Sequence, residues 1–151
     1  MSWSERLKEL GVELPGVAAP LAAYVPAVRS GNHVYTSGQL PFVDGVLAAT
    51  GKVGAEISPE EAKGHARTSA LNALAAVHAL VGIDNVTRIV KVVGFVASAE
   101  GFTGQPAVVN GASELFGEVF GDAGVHARSA VGVAELPIGS PVEVELIVEV
   151  Q

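Results

Sequence analysis

Residues 142–150 constrain the fold most. Val142, Val144, Leu146, Val148 and Val150 recur at every second position, with Glu143, Glu145 and Glu149 between them. Successive side chains of a strand point to opposite faces, so this segment predicts a strand with one apolar and one acidic face. The apolar face needs a cover, and residues 58–82 offer one. Ser58 can cap a helix, Pro59 suits its first position and Glu61 completes a capping box. Ala62, Ala66, Ala70, Ala73, Leu74, Val77 and Val81 then repeat at helical spacing up to Gly82. A stripe this rich in alanine suits close packing on a sheet.

The other elements are read in the same way. Residues 4–11 predict a short helix, capped by Ser4 and stopped by Gly11. A connector rich in Pro and Ala follows to about residue 21. Residues 24–29 and 33–37 flank the turn signal Ser30-Gly31-Asn32 and predict a hairpin. The loop over 41–54 carries Asp44-Gly45 and a short strand around Val46. Residues 89–97 are a β-branched strand. Pro106 opens a second helix with Val109, Ala112, Leu115, Phe116 and Phe120 on its face, ending at 121–124. Residues 128–134 form a strand, and 137–141 turn the chain into the last one. The order ββ(β)-α-β-α-ββ implies an α+β layer sandwich with the helices on one face. Residues 1–20 read as an N-terminal helix and connector, and 21–151 as a single domain.

Composition narrows the function. A net charge of -7 without any cluster of Lys or Arg argues against nucleic acid as a partner. The absence of cysteine removes thiolate metal sites and cysteine nucleophiles. His33, His65, His78 and His126 lack metal-ligand spacing, so no metal is expected, although His126 lies close to Arg128. The segment Gly101-Phe102-Thr103-Gly104 lacks the Lys-Ser/Thr of a phosphate loop, so nucleotide binding is not expected, and no Gly-x-Ser-x-Gly elbow occurs, which argues against a hydrolase of that type. The polar start and the lack of a long uncharged apolar run predict a soluble cytoplasmic protein with no membrane partner. Hydrophobic residues make up 49% of the chain but aromatics only 5%, so the core is built of small side chains and an oligomer is expected to hide more apolar surface.

Arg128 poses the functional question. No other Lys or Arg follows Lys91, and the run from His126 to Ala134 is otherwise free of formal charge with histidine neutral. A guanidinium in a half-buried strand needs an anion. One candidate is a protein carboxylate: if the last two strands pair as a hairpin, Glu143 or Glu145 could lie beside Arg128 and fix register. The other is a ligand carboxylate or phosphate, gripped in two bonds by the planar fork. The acidic row Glu143, Glu145, Glu149 can hold a general base or simply face solvent. Glu60 and Glu61 are explained by helix capping. Thr36-Ser37-Gly38-Gln39 ends a strand where a glycine lets backbone amides approach a ligand.

These motifs resemble the Rid family, also called the YjgF/YER057c/UK114 family. The segment from Ala23 to Pro41, Asn72-Ala73-Leu74, Asn110, Ala127-Arg128-Ser129, residues 133–137 and Val142-Glu143-Val144-Glu145 carry the similarity. The resemblance implies a chorismate-mutase-like fold with a mixed sheet and two long helices on one face, assembled as a barrel-forming homotrimer with clefts between subunits. It also implies cofactor-free hydrolysis of reactive enamines and imines such as 2-aminoacrylate to 2-keto acids and ammonia, a form of metabolite damage control. The alternative is a non-catalytic trimer that binds a small carboxylate metabolite. RNA cleavage, a name attached to some relatives, fits the charge poorly. By the resemblance, Arg128 holds the substrate carboxylate and Glu143 helps to position water. Tyr24, Ser37, Gly38 and Asn110 line the pocket. Two departures stand out: Ala130 where deaminases often carry Cys, and His126-Ala127 in place of the usual Pro-Ala.

Overall fold

A computed structural model describes residues 1–17 and 23–151. The expected connector and the 20/21 boundary fall partly or wholly outside the described residues. The first helix, α1, is Trp3–Glu9. Its cap is Ser2, which forms a reciprocal capping box with Glu5; the sequence reading placed the cap at Ser4. Ser4 instead binds Asp84 through its backbone N–H and its hydroxyl, 2.8 and 2.6 Å. Trp3 stacks edge-on against Phe120 and donates its indole N–H to the Val86 carbonyl at 2.7 Å. The helix is thereby seated on the core by an aromatic with a satisfied polar tip.

The expected hairpin forms as β1, Ala27–Ser30, and β2, His33–Thr36. Phe42–Val43 (β3) and Val46–Leu47 (β4) pair as a separate small hairpin around Asp44-Gly45. The first long helix, α2, is Pro59–Val81, with Ser58 accepting from the Glu61 N–H. The long strand β5 is Val86–Ala97, three residues longer at its start than expected. Helix α3 is Gln105–Phe120, strand β6 Ala127–Val133 and strand β7 Val142–Val150.

The main sheet runs β1-β2-β7-β5-β6. Its last two strands do not pair with each other. β6 lies parallel to β5, and β7 inserts antiparallel between β2 and β5. Burial accounts for this order. Every second residue of β7 is buried, as a central strand requires, whereas β6 carries Arg128 and three exposed positions and tolerates the edge. The segment 134–141, with its helical turn Pro137–Gly139, is long enough to carry the chain past β5.

Both long helices cover one face of the sheet. Ala62, Ala66, Ala70, Ala73, Leu74 and Val77 of α2 are buried as the stripe predicted, while Val81 is only partly so. Fully burying a Leu, Val or Phe contributes roughly 1.5–3 kcal/mol, so this layer carries much of the stability. Gly111 sets the spacing between α2 and α3: a Cβ there would stand 2.0 Å from the Lys63 carbonyl oxygen. The pairs Lys63–Glu114 and Arg67–Glu118 bridge the same two helices at the surface and add little by comparison. Among the described residues no helix is long and apolar enough to cross a membrane.

Candidate functional site

The topology decides which way Arg128 points. Arg128 is in register with Val92 of β5, whose fully buried side chain faces the helices. Partners in a parallel ladder share a face, so Arg128 also turns towards α3. Its Nη1 donates to Asn110 Oδ1 at 2.7 Å and to Ser113 Oγ at 3.3 Å. Asn110 and Ser113 stand three apart on α3 and so present one face to the strand. Ser113 Oγ lies 2.9 Å from His126 Nε2, and His126 Nδ1 lies 2.6 Å from the Gly124 carbonyl oxygen. The imidazole is wedged edge-on against Phe116, ring centroids 5.8 Å apart. Ala130, two residues beyond Arg128, packs on the apolar cluster containing Val96 and Val109.

The ion pair of Arg128 with Glu143 or Glu145 does not form. Glu143 is in register with Phe95 and Glu145 with Val93, on the face of the sheet that the helices leave open. β5 also stands between β6 and β7, so the two charges are separated by a strand and by the sheet itself. Arg128 is held by neutral acceptors instead.

Glu143 belongs to a second group. Its side chain lies over Gly38, where a Cβ would come within 2.7 Å of the carboxyl carbon. Gly38 is thus the residue that leaves room for Glu143. Gln39 exchanges backbone bonds with Val144 at 2.9 and 3.1 Å, which fixes this contact. Ser37 donates its hydroxyl to the Val25 carbonyl at 2.6 Å and its N–H to the Pro26 carbonyl at 2.8 Å, tying the end of β2 to the segment that carries the exposed Tyr24. Asn72 of α2 donates to the Leu40 and Phe42 carbonyls, holding the following loop. Burial, and then the neighbouring Glu145 charge, push the Glu143 carboxyl above the usual carboxylate range.

The residues named from sequence therefore fall into two groups within one chain. Arg128 and Asn110 sit together under α3. Ser37, Gly38 and Glu143 sit together at the start of β7, with Tyr24 on the segment before them. Ser113 and the placement of His126 were missed; the spacing of Asn110 to Ser113 on a helix was the available signal.

Comparison with known proteins agrees with this fold. Residues 4–150 match the family described as YjgF/chorismate mutase-like, putative endoribonuclease. Protein TCP17 of Trypanosoma cruzi is 46% identical over 95% of this chain and 91% of its own length. The 2-iminobutanoate/2-iminopropanoate deaminase of Escherichia coli K12 is 37% identical over 85% of this chain and 88% of its own. The structure of Atu1372 from Agrobacterium tumefaciens superposes with a TM-score of 0.91 at 44% identity, covering 99% of this chain and 92% of that one. The YjgF gene product of Escherichia coli superposes at 0.64 with 33% identity, over 89% and 93% of the two chains. With the family model covering nearly the whole chain and the sheet order and helix layer in place, this protein belongs to the YjgF/Rid family.

Proposed function

We propose that this chain is a cofactor-free hydrolytic deaminase of small carboxylate-bearing imines and enamines of the 2-aminoacrylate class. The observation that carries the reading is the state of Arg128. Its Nη1 edge is held by Asn110 and Ser113, both neutral, so its positive charge has no protein carboxylate to satisfy it among the described residues. A ligand carboxylate supplies that anion. Identity of 37% with a protein named 2-iminobutanoate/2-iminopropanoate deaminase supports the same substrate class.

The chemistry asks little of the protein. Protonation at the β carbon converts the enamine to the imine, whose carbon is already electrophilic. Water adds to that carbon, its lost proton reaches nitrogen, and the carbinolamine collapses to the keto acid and ammonia. Arg128 orients the substrate, and Glu143, whose carboxyl burial pushes above the usual carboxylate range, is the group that accepts and returns a proton.

Arg128 and Glu143 lie on opposite faces of one chain, so a shared site needs a second copy. We assign that role to a homotrimer. The face of the sheet away from the helices exposes Val28, Tyr35 and Val131, apolar surface of the kind that marks an interface. Arg128 of one subunit would meet the Glu143 group of its neighbour. Val131→Asp is expected to convert the assembly to monomers and abolish turnover together, read by light-scattering mass and assay. A monomeric variant with full activity would defeat the shared site.

The direct test follows keto-acid release while a dehydratase generates 2-aminoacrylate in situ. Acceleration over the uncatalysed rate is expected. A second reading, a trimer that binds a carboxylate without turnover, is favoured by Ala130 beside the clamp. It predicts thermal stabilisation by a small carboxylate, lost in Arg128→Ala, with no acceleration.

Glu143→Gln separates stability from activity. Because the folded-state pKa of Glu143 is raised, its burial costs nothing below the carboxylate range and destabilises increasingly as pH rises through it. Glu143→Gln should therefore raise the melting temperature at neutral pH, with the gain shrinking on acidification, while turnover falls. Melting curves across that pH range check the sign; a gain that grows on acidification contradicts it.

A further inference from the structure

We propose that Ser113 and His126 form a positioning relay that pins one edge of Arg128 and makes a ligand carboxylate dock side-on against the other. The inference rests on the reading of Arg128 as a carboxylate clamp and adds how the clamp is aimed. A guanidinium has five N–H groups in a rigid plane. The two on Nη1 go to Asn110 and Ser113, and those on Nε and Nη2 meet no acceptor among the described residues. The Nε and Nη2 hydrogens lie parallel along one edge, which matches the two oxygens of a carboxylate.

His126 decides the polarity of this arrangement. The Gly124 carbonyl can only accept, so the neutral imidazole carries its hydrogen on Nδ1 and offers a lone pair at Nε2. Ser113 has a single hydroxyl hydrogen and directs it to Nε2 at 2.9 Å. Its lone pairs then face Arg128 Nη1. Without the imidazole the hydroxyl is free to rotate, and its acceptor direction is no longer set.

The ring itself is fixed. Phe116 flanks it, and Gly124 lies so close to α3 that a Cβ would be 2.2 Å from the Phe116 carbonyl oxygen. The bland account is that these bonds only tie an edge strand to a helix. That account predicts changes in stability alone.

Calorimetric titration with pyruvate, on the full-length protein in its native assembly, distinguishes the two. Ser113→Ala and His126→Leu are expected to weaken pyruvate binding roughly tenfold. Ser113→Thr, which keeps the hydroxyl, and His126→Gln, which keeps an acceptor near the Nε2 position, should stay within about threefold of the wild type. In an Arg128→Lys background, Ser113→Ala should add no further loss, because an ammonium has no planar edge to aim. Melting curves on the same samples identify any variant that fails to fold, and the Thr and Gln variants then carry the comparison. Wild-type affinity in Ser113→Ala and His126→Leu overturns the relay, as does an equal loss in the Arg128→Lys background. If the wild type does not bind pyruvate, the clamp and the relay fall together. If it binds pyruvate but accelerates no imine hydrolysis, only the deaminase reading falls, and the binding series still decides the relay.

Discussion

On the proposed function, Arg128→Ala is expected to lower kcat/KM for 2-aminoacrylate hydrolysis by at least ~100-fold. Truncating one partner of a desolvated charge pair costs roughly 2–5 kcal/mol, and about 2.7 kcal/mol corresponds to 100-fold in rate. Arg128→Lys keeps the charge but loses the fork, so it is expected to fall between wild type and alanine. The fold should survive both changes. Arg128 is only half-buried on an edge strand, and its protein partners are an amide and a hydroxyl that water can satisfy. The measurement is keto-acid release in the dehydratase-coupled assay, with a melting curve on each variant. Equal acceleration by wild type and Arg128→Ala would sink the clamp.

Gly111→Val is expected to produce the largest loss of stability. The Cβ of any other residue would stand 2.0 Å from the Lys63 carbonyl oxygen and 3.2 Å from the Arg67 nitrogen, both backbone atoms of α2. Backbone cannot swing aside as a side chain can, so the two long helices must separate. Overpacking of a tight core typically costs 1–3 kcal/mol and occasionally more. At about 2–4 °C per kcal/mol for a chain of this size, a loss near 3 kcal/mol lowers the melting temperature by roughly 10 °C. Gly64→Ala on α2, where a Cβ meets nothing within 4 Å, is the control and should leave the melting temperature unchanged or slightly higher. A Gly111→Val protein that melts with the wild type would show that the helices do not meet at this point.

These two positions differ in how far they could be read in advance. Arg128 stood out because a lone cation in an uncharged strand demands an anion. Gly111 did not, because the need for a glycine comes from Lys63, forty-eight residues earlier in the chain. The same contrast runs through the site. Gly38 was legible as a place of close backbone approach, but the atom that approaches it is the Glu143 side chain. Ser113 had only its helical spacing from Asn110 to mark it: it entered the site when α3 was laid across β6 and placed its hydroxyl between Arg128 and His126.

The caps show the limit at shorter range. Ser58 caps α2 as its spacing with Glu61 required. At the N-terminus two serines competed, and Ser2 took the cap because Asp84 binds Ser4. A local signal was right where nothing distant interfered with it.

By itself, the sequence determined the elements. Alternation over 142–150 and the alanine stripe over 62–77 specify a strand with one buried face and a helix made to cover it, because side-chain period is a local property of the backbone. Only the tertiary structure decided the order of the strands. β6 and β7 are neighbours along the chain and were open to a hairpin that would have set Arg128 beside Glu143. The sheet places β5 between them, because β7 has an apolar face that demands the centre and β6 does not. That choice turns Arg128 towards Asn110 and Ser113, away from every carboxylate of its own sheet.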